Sequence, residues 1–286
     1  MKLSTCFSML GATAALLTTS AVFAAGADDG PGEDAPISAS DPATGKRGKD
    51  AVDPTVLDAQ RQSEMADSPV ELPNQTYYFV GARYRGIIVP KFMMNLFGDG
   101  GTTVYVNSFG PEFAVRKNNM EYNFSAWWAD YSMSPTPFKA SSDPDQSFEI
   151  VESKLNVLYL TSDFVWTHPL SPVVGLNLGM GAGFGFVWGD LLRTQAYRDA
   201  NHKLQPCAGP NDPAALDPTY CTSENDHYAG YTEKSWADGG SKPIVFPWLA
   251  VQTGLRIKPH RNFAMRLDAG FGVTGFFFGA GADYGI

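Results

Sequence analysis

The sequence predicts an all-β fold, a closed antiparallel up-and-down transmembrane β-barrel, and three observations lead to this fold class. The chain of 286 residues is 44% hydrophobic and 18% charged, which excludes a wholly disordered chain. Outside the N-terminal segment, no apolar run is long enough for a membrane-spanning helix. After Pro73, apolar residues instead recur at every second position, the period of a strand with one apolar face.

The clearest alternation lies in residues 174–188, where apolar side chains share one parity and, from 175 to 185, glycine with Asn177 takes the other. Successive side chains of a strand point to opposite faces, so this strand has one apolar face and one of nearly bare backbone. The narrow interior of a small barrel needs small residues where long side chains cross from the far wall, whereas a soluble sandwich would carry polar side chains there. Because the alternation continues through the glycine run 179–183 instead of opening a helix, no dinucleotide or other cofactor is predicted.

Three segments divide the chain. Residues 1–24 have a positive start, an apolar run and a small-residue cleavage motif, as in a secretory signal peptide; a retained helical anchor is the alternative. Residues 25–73 contain eleven acidic and four basic residues and no aromatic residue, which predicts a disordered acidic linker. A cation-binding or cell-wall-associating arm is its functional alternative. Residues 74–286 form the predicted barrel.

Turn signals divide the barrel region into eight strands. They are expected near residues 76–90, 103–116, 120–131, 155–166, 173–188, 244–258, 263–271 and 275–286. Short connections alternate in part with long ones at 133–154 and 189–242, as in barrels with short periplasmic turns and longer outer loops. A ten-strand barrel, in which residues 87–97 form a strand of their own, is the main alternative.

The last strand alternates up to the final residue, with Gly281, Tyr284 and Ile286 in the positions of a C-terminal insertion signal, although phenylalanine is the commonest final residue of such signals. Residues 74–286, about three quarters of the chain, resemble in architecture the small bacterial outer-membrane β-barrels of the OmpA, OmpX and OmpW kind. The resemblance implies a location in the bacterial outer membrane. It also implies contact with the lipid bilayer and lipopolysaccharide, and delivery by the barrel-insertion machinery.

Charged residues on the parity opposite to the apolar one are expected to face the lumen. They are Arg83, Arg85, Glu112, Arg116, Glu121, Arg256, Arg266 and Asp268. Charges in an interior of low dielectric constant must pair, and in an eight-stranded barrel such side chains fill the interior. The first prediction is therefore a lumen ion-pair network and a structural barrel without a pore. A narrow conduit for small or hydrophobic solutes, as in OmpW-like porins, is the alternative.

The predicted loop 189–242 is too long for a simple connector and contains Cys207 and Cys221. In an exported protein this pair predicts a disulfide bond. His202 and His227 flank the cysteines at a spacing that resembles a zinc site, but beside a disulfide they are expected to be ordinary exposed residues, so no metal is predicted. The aromatic and acidic residues of the loop are typical of a recognition surface, which favours a role in binding an unidentified surface ligand.

Other functions are not predicted. The net charge of −9 disfavours a nucleic-acid partner. The chain lacks a Gly-x-Ser-x-Gly nucleophile motif, and no spacing supports a catalytic pair of a histidine and an acid. We therefore expect no enzyme and assign no catalytic residue; an outer-membrane hydrolase is the less favoured alternative.

Overall fold

The structure is a computed structural model that describes residues 68–95 and 98–286. The predicted signal peptide, residues 1–24, and residues 25–67 of the predicted acidic linker lie outside the described residues. Within the described ranges, no helix is both long and apolar enough to cross a lipid bilayer.

Eight long strands carry the fold. They are β1 (Thr76–Val89), β2 (Val104–Lys117), β3 (Met120–Ala140), β4 (Glu149–Pro169), β5 (Val174–Arg198), β6 (Val245–His260), β7 (Phe263–Gly272) and β8 (Gly275–Gly285). Shorter elements lie between them: the helix α1 (Lys91–Met94), the 3-10 turns Asp145–Ser147 and Trp236–Asp238, and the short strands Gly98–Gly100, Leu204–Pro206 and Tyr231–Thr232.

The eight strands form a closed ring. Each pairs antiparallel with its neighbour in the chain, and β1 also pairs with β8, from Phe79 opposite Gly285 to Ile88 opposite Phe276. The predicted closed antiparallel barrel of eight strands is therefore confirmed. The ten-strand alternative, with a separate strand at residues 87–97, is wrong because Ile88 belongs to β1 and the chain then enters α1.

The two ends of the barrel differ in their connections. One end, called the turn end below, carries the start of β1, the end of β8 and short turns at residues 118–119, 170–173 and 261–262. The opposite end, called the loop end, carries the connections 90–103, 141–148, 199–244 and 273–274.

Strands β3, β4 and β5 extend further at the loop end than predicted. Strand β6 begins opposite Phe186 of β5, but pairing continues beyond this level to Phe138 opposite Glu149 and to Glu149 opposite Gln195. Parts of both predicted long loops are therefore strand, because cross-strand hydrogen bonds continue past the end of the apolar alternation. The rim is high over β3–β5 and low over the short β7–β8 connection.

The outer wall carries exposed apolar side chains on every strand. They include Tyr78, Val80, Phe109, Phe113, Tyr122, Phe124, Leu158, Leu160, Phe184, Phe186, Leu249, Val251, Leu267, Phe276 and Phe278. A soluble monomer does not normally expose apolar surface that encircles the molecule. The wall thus has the polarity expected of a surface that faces hydrocarbon.

The glycines of β5 line the lumen, as the alternation predicted. A Cβ atom added at Gly181 would collide with the carboxylate of Asp163, and one added at Gly185 would collide with the ring of Tyr159. Asp163 and Tyr159 lie directly opposite these glycines on β4. The expectation that side chains from the far wall occupy this space is therefore wrong at these positions, because side chains of the adjacent strand lean over the glycines.

Gly181→Val is expected to lower the free energy of unfolding by about 1–3 kcal/mol, because the added methyl groups must displace the buried carboxylate of Asp163. Ala182→Val is the matched control, since Ala182 lies on the exposed outer wall, and it should change stability by no more than about 0.5 kcal/mol. Urea unfolding of the protein in detergent micelles, followed by heat-modifiable gel migration, measures both. Equal midpoints for the two variants would contradict the assigned role of the glycine.

Candidate functional site

The lumen is filled by three layers of side chains between the turn end and the loop end. The first contains an acidic residue and three bases, the second an ion-pair network, and the third a group of aromatic rings. The structure brings all eight predicted lumen residues together in the first two layers: Arg83, Arg85, Glu112, Arg116, Glu121, Arg256, Arg266 and Asp268.

Arg266 lies at the centre of the middle layer. Its guanidinium donates to the two carboxylate oxygens of Asp283 at 2.9 and 3.0 Å and to Glu121 at 2.8 Å. It also forms an ion pair with Glu112, which accepts a hydrogen bond from Ser125 at 2.8 Å. A buried guanidinium needs this many acceptors because its five N–H donors cannot reach water.

Asp163 joins two arginines across the lumen. Arg83 Nη1 lies 3.0 Å from Asp163 Oδ2 and 3.2 Å from Glu112 Oε2, and Arg83 Nη2 lies 3.8 Å from Asp268 Oδ1. Arg85 donates to the same oxygen of Asp163 at 2.5 Å. Because β1 and β4 are three strands apart in the ring, these pairs connect opposite parts of the wall.

The third layer closes the lumen with aromatic rings. The guanidinium carbon of Arg85 lies 5.4, 5.3 and 5.5 Å from the ring centroids of Trp127, Trp248 and Phe277. Trp127 stacks on Tyr159 with centroids 4.2 Å apart and meets Trp248 edge-on at 4.9 Å. None of these four rings is more than 3% exposed. Arg85 therefore joins the charged network to a packed apolar layer.

At the turn end, the acidic residue Glu71, which lies before β1 and outside the strands, forms ion pairs with basic residues of the barrel. Glu71 Oε2 lies 2.5 Å from Arg116 Nε, and its Oε1 lies 2.9 Å from Arg256 Nη2 and 3.1 Å from Lys258 Nζ. Burial by itself raises the pKa of Glu71, but Arg256, Arg116 and Lys258 outweigh burial and lower the pKa to about 2. Residue 71 belongs to the predicted linker 25–73, so the end of that segment contacts the barrel.

Sequence reasoning missed four charges of this network: Glu71, Asp163, Lys258 and Asp283. Lys258 shares the parity of Arg256, and Asp283 lies on the glycine parity of β8. The period of two therefore predicts that both side chains face the lumen. The period of two does not assign Asp163 to the lumen, because β4 carries apolar side chains on both faces. No local pattern indicates Glu71, because its basic partners lie 45, 185 and 187 residues further along the chain.

The long connection at the loop end is anchored by the predicted disulfide bond. Cys207 and Cys221 are bonded, with Cα atoms 5.7 Å apart, and both are buried against Tyr220. The Tyr220 hydroxyl donates to Asp145 at 2.9 Å, and Arg198 donates to the same carboxylate at 2.5 and 2.7 Å. The disulfide is therefore confirmed, and the thiolates that a zinc site needs are not free.

Glu149, the first residue of β4, is a second anchor for this connection. Its Oε1 accepts a hydrogen bond from Asn225 at 3.1 Å and lies 2.7 Å from His227 Nδ1. Its Oε2 lies 2.5 Å from Arg193 Nε, and Arg193 also donates to Glu233 at 2.7 Å. The expectation that His227 is an ordinary exposed residue is wrong, because its ring packs into this cluster. We name the two anchored connections, residues 141–148 and 199–244, the loop platform.

The three residues of the predicted insertion signal lie on or directly after β8, toward the turn end. Gly281 pairs with Arg83 on one side and Arg266 on the other. Tyr284 and Ile286 are exposed on the outer wall. The reading of these residues as an insertion signal stays a prediction.

Glu71→Gln is expected to destabilise the protein in a pH-dependent manner. Because the pKa of Glu71 is lowered from 4.5 to about 2 on folding, the stabilisation is complete above pH 4.5 and is lost as the pH falls to about 2. The shift corresponds to about 3 kcal/mol at neutral pH. Denaturant unfolding of both proteins at several pH values should show a difference that disappears near pH 2, and a difference independent of pH would contradict the assignment.

No protein-family model matches the chain, and no curated protein matches it. Solved structures with a similar fold include Neisserial surface protein A, at 8% identity and a TM-score of 0.35, covering 74% of this chain and 96% of that one. The attachment invasion locus protein Ail of Yersinia pestis is 12% identical with a TM-score of 0.35, covering 75% and 100%. The N-terminal β-barrel domain of Pseudomonas aeruginosa OprF is 12% identical with a TM-score of 0.27, covering 74% and 100%. These are likenesses of fold alone.

Proposed function

We propose that this protein is a barrel of the bacterial outer membrane whose lumen is sealed and whose loop platform recognises a surface ligand. The observation that carries the proposal is the contrast between the two parts of the molecule. The lumen is occupied by paired charges and packed rings, whereas the loop end carries long strands with a disulfide and ion pairs that order the connections. Transport would require an open lumen, whereas recognition requires ordered connections at the loop end.

The outer wall supports the membrane location. All eight strands expose apolar side chains, and closure of the ring leaves no unpaired strand edge on the wall. The partners that follow are the lipid bilayer and lipopolysaccharide around the wall, and the insertion machinery that would read the last strand. In this orientation the turn end faces the periplasm and the loop platform faces outward.

The filled interior supports a structural barrel over the narrow conduit. A solute would have to displace Trp127 and Trp248, which are buried against one another, and then separate the pairs of Arg83 and Arg266. Removing one partner of a buried ion pair typically costs about 3–5 kcal/mol, so transient passage through this network is unfavourable.

The charge of the long connection indicates the kind of ligand. Residues 199–242 contain seven acidic and three basic residues, together with the exposed side chains of Leu216 and Trp236. Electrostatic complementarity then favours a positively charged ligand surface, with the apolar side chains as contact points. The proposal assigns no catalytic step to any residue.

In planar bilayers the purified protein is expected to show no steady conductance, because the aromatic layer and the ion-pair network fill the lumen. Trp127→Ala combined with Trp248→Ala removes two buried rings and should produce brief openings. Trp128→Ala is the matched control, since Trp128 lies on the outer wall beside Trp127, and it should leave the current trace unchanged. Reproducible large open-channel steps in the wild-type protein would overturn the sealed lumen.

Recognition is tested by binding to an immobilised library of basic peptides. Deletion of residues 189–242 removes the loop together with the end of β5 that carries it, because Arg198 lies twelve residues beyond Phe186, which is opposite the start of β6. It should abolish the signals of the wild-type protein, and Cys207→Ala with Cys221→Ala should weaken them, because the loop loses about 3 kcal/mol of disulfide stabilisation. The control for net charge neutralises Asp28, Asp29 and Glu33, which removes the same excess of three negative charges outside the platform. Undiminished binding by the deletion variant, or equal loss in the control, would contradict recognition through this loop.

A further inference from the structure

The turn-end mouth contains three buried bases whose acidic partner is supplied by the segment before β1. Arg116, Arg256 and Lys258 come from β2 and β6, and their side chains are at least nine-tenths buried. Glu71 reaches them from outside the barrel and uses both carboxylate oxygens. The three bases surround the carboxylate as a binding site surrounds a carboxylate ligand, although this carboxylate belongs to the same chain.

The charges of the strands leave one base in excess. The described lumen residues on the strands comprise six bases, namely Arg83, Arg85, Arg116, Arg256, Lys258 and Arg266. They comprise five acids, namely Glu112, Glu121, Asp163, Asp268 and Asp283. Glu71 is the sixth acid and brings this set to neutrality. An anion at this mouth is therefore required by the barrel itself, since a buried excess charge is costly.

Glu71 is held there by its charge. The flanking side chains of Val70 and Leu72 are 54% and 58% exposed, so they do not insert into the barrel. The chain is next anchored to the barrel by the Leu72 backbone N–H, which donates to the Tyr77 hydroxyl at 2.7 Å, and by Asn74. The carboxylate can therefore leave without withdrawing a buried apolar side chain from the barrel.

The bases retain other partners when Glu71 leaves. Arg116 still donates to Thr167 at 2.8 Å, and the guanidinium of Arg256 lies 5.3 Å from the ring of Phe79. The Lys258 ammonium lies 5.8 Å from the same ring, yet Glu71 is the only acid paired with it among the described residues. A site whose donors stay in place is preorganised for another anion.

A pocket adjoins this cluster. It has a volume of about 260 Å³ and is lined by Glu71 and its three bases, by the polar side chains of Asn119 and Thr167, and by the turn between β4 and β5. The space beside Glu71 admits a small oxyanion and a few further atoms of the molecule that carries it.

We propose that the turn-end mouth is an oxyanion-binding site in which Glu71 acts as an internal ligand, and that a carboxylate or phosphate group from another molecule displaces it. Displacement exchanges one anion for another, so the barrel stays neutral while the segment before β1 is released from the mouth. The site is independent of the loop platform, which lies at the opposite end of the barrel.

The first test compares the stability of the full-length chain in detergent with and without inorganic phosphate, at constant ionic strength set with chloride. Glu71→Gln removes the competing negative charge from the site, so phosphate should raise its thermal midpoint with an apparent affinity at least tenfold tighter than for the wild type. Acetate in place of phosphate distinguishes a carboxylate site from a phosphate site. Glu152→Gln, an acid paired with Lys154 at the loop end, is the control and should behave as the wild type.

A second variant separates binding from charge balance. Glu71→Gln combined with Lys258→Met restores equal numbers of lumen acids and bases and removes one ligand-binding group. This double variant should regain stability without phosphate and should lose the response to it. A phosphate response that persists in the double variant, or that chloride reproduces in Glu71→Gln, would overturn the site.

Release of the segment is tested with the wild-type Glu71 in place. A nitroxide label on Val70→Cys, in a Cys6→Ser background, reports the mobility of the segment by electron paramagnetic resonance. Phosphate or acetate should increase the mobility with saturation, and chloride should not. An unchanged spectrum up to the concentrations that stabilise Glu71→Gln would show that external anions do not displace Glu71.

Discussion

Closure of the ring between β1 and β8 is the constraint on which the rest of the structure depends. Once the two outer strands pair, every strand has a neighbour on both sides, and the backbone of the wall presents no free edge. The wall can then expose apolar side chains all around. The same closure separates the inward side chains from water at the sides, so that inward charges must find partners among themselves.

The resulting network ties distant parts of the ring together. Asp163 of β4 forms ion pairs with Arg83 and Arg85 of β1, and Arg266 of β7 forms an ion pair with Glu121 of β3. These pairs form only when the strands are in the correct register, since a shift by one residue would turn each side chain to the outer wall. The charge pairs are therefore compatible with this register, while the aromatic layer above them supplies dense packing.

The two ends of the barrel have opposite characters. At the turn end the connections are short, and a single carboxylate from outside the strands completes the charge balance. At the loop end, three long strands continue beyond the others and carry connections held by a disulfide and by Glu149. The filled lumen between them gives one end no open path to the other. Any ligand of either end is therefore bound by that end alone.

The sequence by itself determined the fold class and indicated the inward face of most strands, because the period of two is a local property of the chain. It left eight or ten strands open, and the structure decided for eight. The sequence also predicted the disulfide, since only Cys207 and Cys221 follow the predicted signal peptide. Only the tertiary structure decided which inward charges meet, that Glu71 belongs with bases far along the chain, and how far β3–β5 extend. These features depend on contacts between residues that are distant in sequence. The pattern of residues within a single segment does not indicate such contacts.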